Sequence, residues 1–170
     1  SAGFLGLGSK MALIKARVKC SVKDNAKNFL AEVFEAMDMT VVIDVKYDEE
    51  EKSMDIDLSG DEMGVLIGKR GQTLDSLQYL VSLVVNKDSE DYIRVKVDTE
   101  NYRQRRKDTL ENLAKNISFK VKRTKRAVKL EPMNPYERRI IHSALQNDKY
   151  VTTHSEGEEP FRRVVVTLKK

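Results

Sequence analysis

Gly68-Lys69-Arg70-Gly71 sets two cations between two glycines, where the apolar run Val65-Leu66-Ile67 stops and a new apolar periodicity opens at Leu74. Glycine at both ends lets the backbone take φ > 0 and lets another backbone come close, because no Cβ stands in the way. Lys69 and Arg70 would then project from the tip toward phosphates, with the free N–H groups opening the next helix as an added positive pole. The rival phosphate loop GxxxxGK[ST] fails twice: Met63 occupies its first glycine position and Arg70 the Ser/Thr position that would hold magnesium. The loop is a clamp for a polyanion, not a reactor.

Arg138 and His142 stand four apart, so on a helix they share a face where guanidinium and imidazole can converge on one anion. The competing reading is a structural pair at strand ends. Arg162 and Arg163 carry the same ambiguity, since on alternating strand positions only one of them faces the site. Two histidines, one cysteine and scattered acids make no recognised ligand spacing and no nucleophile–base pair, so no catalytic residue, metal or cofactor is expected.

The net charge of +4 is unevenly spread: 13 Lys/Arg against 19 Asp/Glu in residues 1–102, 11 against 2 in residues 103–129, and 7 against 6 in residues 130–170. A basic block between two near-neutral or acidic lobes is the footprint of a polyanion track, whereas a solvated helix face usually mixes both signs. Its cations cannot all point one way. The end carrying Lys120, Lys122, Arg123, Lys125 and Arg126 is the favoured contact.

Periodicity supplies the elements that position these groups. Residues 3–10 (GFLGLGSK) read as the extended end of a preceding segment, and Ile14, Ala16 and Val18 as an edge strand. An apolar stripe through Ala26, Phe29, Leu30, Val33, Phe34 and Met37 predicts a helix starting near Asp24. Alternation predicts a hairpin of Val41–Tyr47 and Met54–Leu58 with one wet face. A short helix over Met63–Ile67, the glycine loop, a helix ending near Asn86 with Leu74, Leu77, Leu80, Val81, Val84 and Val85 as its core stripe, and a strand through Ile93, Val95 and Val97 complete the first unit. Asp98-Thr99 is expected to cap a long helix from Glu100 to about Lys122. Asn134-Pro135 opens another helix, and two strands follow, Val151–Ser155 and Phe161–Leu168.

The run VLIGKRGQTLDSLQYL resembles the GXXG loop and flanking helices of KH domains, which hold the backbone of about four single-stranded nucleotides. The element order resembles the type II KH topology of bacterial proteins. NPYERRIIHSAL and TTHSEGEEPFRRVVV resemble the single-stranded nucleic-acid-binding domain named for its R-x-x-x-H signature. KH followed by that domain is the architecture of the Jag family of bacterial RNA-binding proteins, and GFLGLGSK resembles the end of that family's N-terminal domain.

The expected fold class is therefore α+β. A type II KH domain of helix-strand-strand-helix-helix-strand order, with a three-stranded sheet, occupies residues 21–98. The long helix and a small α/β R-x-x-x-H domain occupy 99–170, after a remnant or linker over 1–20. The resemblance implies a binding groove beside the loop with Ile56, Val65, Ile67 and Leu74 as candidate walls. It implies single-stranded RNA as ligand, and post-transcriptional regulation linked to cell elongation, division or sporulation. It also implies a small KH protein as partner and a neighbouring membrane insertase. The alternatives are a single-stranded DNA binder, a protein-docking module in which the basic helix meets acidic partners, and a nuclease. No apolar run approaches the ~20 residues of a membrane span, and the lone Cys20 suits a reducing cytoplasm.

Overall fold

The computed structural model describes residues 21–87 and 89–169. The edge strand expected through Ile14, Ala16 and Val18, the GFLGLGSK stretch and Cys20 lie outside the described residues. Helix α1 (Val22–Ala36) starts slightly earlier than its apolar stripe indicates, because Ser21 and Asp24 form a reciprocal capping box: the Ser21 hydroxyl accepts from Asp24 N–H and the Asp24 carboxylate accepts from Ser21 N–H. Strands β1 (Val41–Asp48) and β2 (Ser53–Gly60) make the antiparallel hairpin. The chain then passes through α2 (Met63–Ile67), a single 3-10 turn (Lys69–Gly71) and α3 (Gln72–Asn86) before β3 (Arg94–Thr99).

β3 pairs in parallel with β2, so the first sheet runs β1-β2-β3. A parallel neighbour needs a crossover, and the α2–loop–α3 segment is that crossover. One sheet face is covered by α1 and α3 through Leu30, Phe34, Met54, Ile56, Leu58, Leu74 and Val81, all buried. The alternate residues Asp44, Lys46, Asp55, Asp57 and Lys96 stay exposed. Each large apolar side chain removed from water in this way contributes on the order of 1.5–3 kcal/mol.

Helix α4 (Tyr102–Thr124) begins later than the expected cap at Asp98-Thr99. Thr99 is fully buried and its hydroxyl donates to the Leu58 carbonyl at 2.7 Å, which holds it in the sheet. Glu100 and Asn101 then turn the chain through left-handed backbone, φ 48° and 59°. Beyond α4 come β4 (Val128–Pro132), α5 (Pro135–Leu145), β5 (Val151–Glu156) and β6 (Arg163–Leu168), in an antiparallel sheet of order β4-β6-β5. Asn134 caps α5 by accepting from Glu137 N–H at 2.8 Å. Leu110, Ala114 and Val121 of α4 belong to this second core, together with Ile141, Leu145, Val164 and Val166. Among the described residues no helix is long and apolar enough to cross a membrane.

The start of α4 is seated on the first lobe. Arg103 donates to the Val97 carbonyl at 3.1 Å, Asp75 at 2.8 Å and Gln78 at 3.0 Å, and the Tyr102 ring lies against Gly71. A Cβ on Gly71 would stand 2.7 Å from a Tyr102 ring carbon, at a φ of +80° that L residues rarely adopt. Gly64, in α2, has nothing within 4 Å of where its Cβ would be. Gly71→Ala is therefore expected to lose more than ~1 kcal/mol in denaturant melts, from left-handed strain plus displacement of the ring. Gly64→Ala should be neutral or gain up to ~1 kcal/mol as a helix substitution. Equal stabilities for the two variants would contradict this packing.

Candidate nucleic-acid interface

α2 ends where Gly68 N–H donates to the Gly64 carbonyl at 3.0 Å and Gly68 turns to φ 66°, ψ −165°, a region open essentially to glycine. A side chain there would also overlap the Thr73 hydroxyl. Arg70 follows in the left-handed region, φ 60°, ψ 32°, and Gly71 opens α3. The resulting knuckle presents Lys69 to solvent without an ion-pair partner among the described residues.

Arg70 behaves differently from the expectation that both cations point outward. Its Nη2 pairs with the Glu131 carboxylate and its Nη1 donates to the Pro132 carbonyl at 2.6 Å, so the end of β4 holds it. Of the two, Lys69 alone is free at the tip. The four groove candidates also divide. Val65 is 54% exposed beside the loop and Ile67 is half-buried, whereas Ile56 and Leu74 are core residues. Ile56 alternates inward with Met54 and Leu58, and Leu74 shares the inner stripe of α3 with Leu77 and Val81, so both face the first core and neither walls a groove beside the loop.

In the second lobe Arg138 and His142 do share a face of α5 and converge, on Ser155 of β5. Arg138 Nη1 lies 3.4 Å from the Ser155 hydroxyl and His142 Nε2 lies 2.9 Å from it, while His142 Nδ1 lies 2.6 Å from Thr153 Oγ1. Arg138 further donates to the Met133 carbonyl at 3.2 Å and pairs with Glu159. The polar atoms of the pair are thus engaged by Thr153 and Ser155 of β5, by the Met133 carbonyl and by Glu159. Burial first, then the neighbouring Arg138 and His154 charges, lower the His142 pKa below its usual value, so the imidazole is neutral at pH 7. Arg162 is exposed just before β6; Arg163 opens the strand and is half-buried. Thr153, Ser155 and Glu159 went unassigned in the sequence, although the alternation of Thr153 and Ser155 along one strand face was a usable signal.

A cleft separates the two lobes. Lys69, Arg70 and Gln72 form one wall; Glu131, Met133 and Phe161 belong to the other. The basic block does not lie along it. Arg103 is held by Asp75, Arg106 by Glu137 at 2.6 Å, and Lys122 by Asp148 at 2.6 Å. Lys120, Arg123, Lys125 and Arg126 are exposed, yet they sit at the far end of a helix whose 23 residues span about 34 Å. In sequence that segment lies between the loop and Arg138; in space it lies beyond both. Among the described residues no group of three or more His, Cys, Asp or Glu is placed to hold a metal ion.

The family model described as the KhpA/KhpB KH domain matches residues 23–97, and that of the R-x-x-x-H domain matches residues 108–168. The chain is 71% identical over 170 residues to "RNA-binding protein KhpB" of Clostridium symbiosum, covering 100% of this chain and 77% of the relative. It is 39% identical to the protein of that name from Bacillus subtilis (strain 168), covering 99% of this chain and 81% of the relative. The Lactiplantibacillus plantarum protein is 36% identical over 84% of this chain, which is 44% of its own length.

The His142 environment has a consequence for stability. Because its folded pKa lies below the unfolded value of about 6.5, the folded form binds fewer protons, and stability must fall as pH drops through that value. Denaturant melts at pH 7.5 and 5.5 should show a larger acid loss for the wild type than for His142→Asn. Parallel losses in the two proteins would contradict a half-buried, neutral imidazole.

Proposed function

Since the chain belongs to the KhpB family, also called the Jag family, we propose that it binds single-stranded RNA without processing it, holding the strand at the Gly68–Gly71 loop. The observation that carries this reading is the knuckle itself: two glycines at positive φ bracket a Lys69 that has no ion-pair partner among the described residues, at the mouth of the interlobe cleft. A phosphate at that tip meets one free cation and the positive end of α3. Gly68 and Gly71 let the sugar–phosphate backbone approach, and the exposed Val65 and half-buried Ile67 offer an apolar flank to a base. Ile56 and Leu74 belong to the first core.

Arg138, His142, Arg162 and Arg163 form the second contact, across the cleft. A phosphate there would replace Glu159 at Arg138. Lys120, Arg123, Lys125 and Arg126 serve a longer strand that continues along the second lobe. On the family resemblance, the site of action is the cytoplasm and the role post-transcriptional, tied to elongation, division or sporulation, with a small KH protein as partner and a membrane insertase as functional neighbour. One observation favours an additional protein-docking role: Tyr79, Leu80 and Leu83, on the outer side of α3, are 64%, 44% and 53% exposed. A patch of that kind is suited to a protein partner.

Binding titrations with single-stranded RNA across salt concentrations test the reading. Lys69→Asp should weaken binding at least tenfold, on the order of 1.4 kcal/mol, and make the log K versus log[salt] slope shallower by about one phosphate. Glu131→Gln, which releases Arg70 from its carboxylate, should tighten binding. A folded Lys69→Asp protein with wild-type affinity would rule out the clamp.

A further inference from the structure

We propose that the distal end of α4 and the turn after α5 form a base-stacking platform for unpaired nucleotides, separate from the loop and from the Arg138–His142 face. The proposal rests on the reading that the chain binds a single-stranded nucleic acid. Phe119 and Tyr150 come from different elements and expose 69% and 64% of their surface. Single exposed aromatics need no explanation. These two, however, share one cation: Lys122 Nζ lies 5.6 Å from the Phe119 ring centroid and 5.4 Å from that of Tyr150. Each ring is therefore touched on one side by an ammonium group while most of it remains open to solvent.

The rings are also held in place. Asp148 accepts from Lys122 Nζ at 2.6 Å, from the Ser118 hydroxyl at 2.7 Å and from Tyr150 N–H at 2.9 Å, while its carbonyl accepts from Lys169 Nζ at 2.6 Å. Burial works against the charge, but the bonds from Lys122, Tyr150 N–H and Ser118 outweigh it and hold the carboxyl well below the usual carboxylate range, so it stays ionised. The turn carrying Tyr150 is thereby pinned to α4. A pre-positioned ring loses little freedom when a base stacks on it.

Charge selects the ligand. Lys115 and Arg123 lie four residues before and after Phe119, on the same helix face, and Lys149 precedes Tyr150; all three are without ion-pair partners among the described residues. Aromatic faces interleaved with free cations suit successive bases and phosphates of an unpaired strand. Phe119 stands 17 residues after Tyr102 in α4, so the platform lies about 25 Å along the helix from the loop. Only a strand longer than the loop alone requires can reach both.

The chain contains no tryptophan, so Phe119→Trp introduces a unique fluorophore at the platform. Its emission should be quenched by an oligouridylate of roughly 16 nucleotides, and by the matching oligothymidylate if stacking alone governs the contact. Quenching by RNA alone would still support the platform and add a ribose contact. Poly-glutamate should leave the emission unchanged. Phe119→Ala combined with Tyr150→Ala should weaken binding of the same RNA at least about fivefold, with an unchanged salt slope because no phosphate contact is removed. Absence of quenching while the RNA binds, measured by anisotropy, would overturn the platform and leave the loop reading intact. Quenching by poly-glutamate alone would assign the surface to an acidic protein partner and overturn it too. Failure of the wild type to bind any of these strands would overturn both readings.

Discussion

The Tyr102 ring lies against a backbone that can carry no side chain, and on that contact the placement of the second lobe relative to the first depends. Gly71 is at once the end of the cation-bearing loop, the first boundary of α3 and the floor on which α4 begins. Arg103, the next residue along, is fastened to Val97, Asp75 and Gln78, three groups from β3 and α3. A helix anchored this way at its first turn cannot pivot without opening polar contacts and uncovering the ring. The second lobe is built on the same helix, through Leu110, Ala114 and Val121. The loop and the second lobe are thus parts of one frame, with the cleft between them.

The cations show how a charge total misleads about a surface. Arg106 is engaged by Glu137, whose side chain is 5% exposed, where an unpaired carboxylate would be costly. Arg103 and Lys122 have similar structural partners, and even the loop's Arg70 is held by Glu131. Among the described residues, cations without an ion-pair partner stand in separate places, among them Lys69 at the cleft, Arg162 and Arg163 near β6, and Lys120, Arg123, Lys125 and Arg126 at the distal end of α4. A strand that used all of them would be bound at separated points, each of modest strength, whose combined effect comes from being tied together.

Much of the architecture was legible because it rests on local periods. The inward alternation of Met54, Ile56 and Leu58, the Leu74, Leu77, Val81 and Val85 part of the α3 stripe, and the Asn134-Pro135 helix start each depend on neighbours a few residues away, and each is found where the pattern puts it, whereas Leu80 of that stripe turns outward and is 44% exposed. The glycines of the loop were readable for the same reason. What was not legible involves residues far apart in the chain. Arg70 and Glu131, Lys122 and Asp148, and Arg138 and Glu159 meet only through the tertiary fold, and in each case the partner changes what the cation is free to do. The start of α4 was misplaced because Thr99, a good capping residue in isolation, is claimed by the Leu58 carbonyl across the sheet. Distance along α4 likewise separates Lys120–Arg126 from the loop and from Arg138, although the segment lies between them in sequence.

Helix α4 also imposes an order of assembly. The first sheet closes only when β3 reaches β2, with Ser53 opposite Arg94, so the whole crossover must be made before that parallel pairing forms. The second sheet pairs β5 with β6 across a short turn, but its apolar face has little to rest on until α4 is present. As the chain emerges from its N-terminal side, the first lobe and α4 are synthesised before any strand of the second lobe. The helix then serves as a ready template on which β4, α5, β5 and β6 condense. The reverse order is closed to them: cut from α4, those elements would lack one wall of their core.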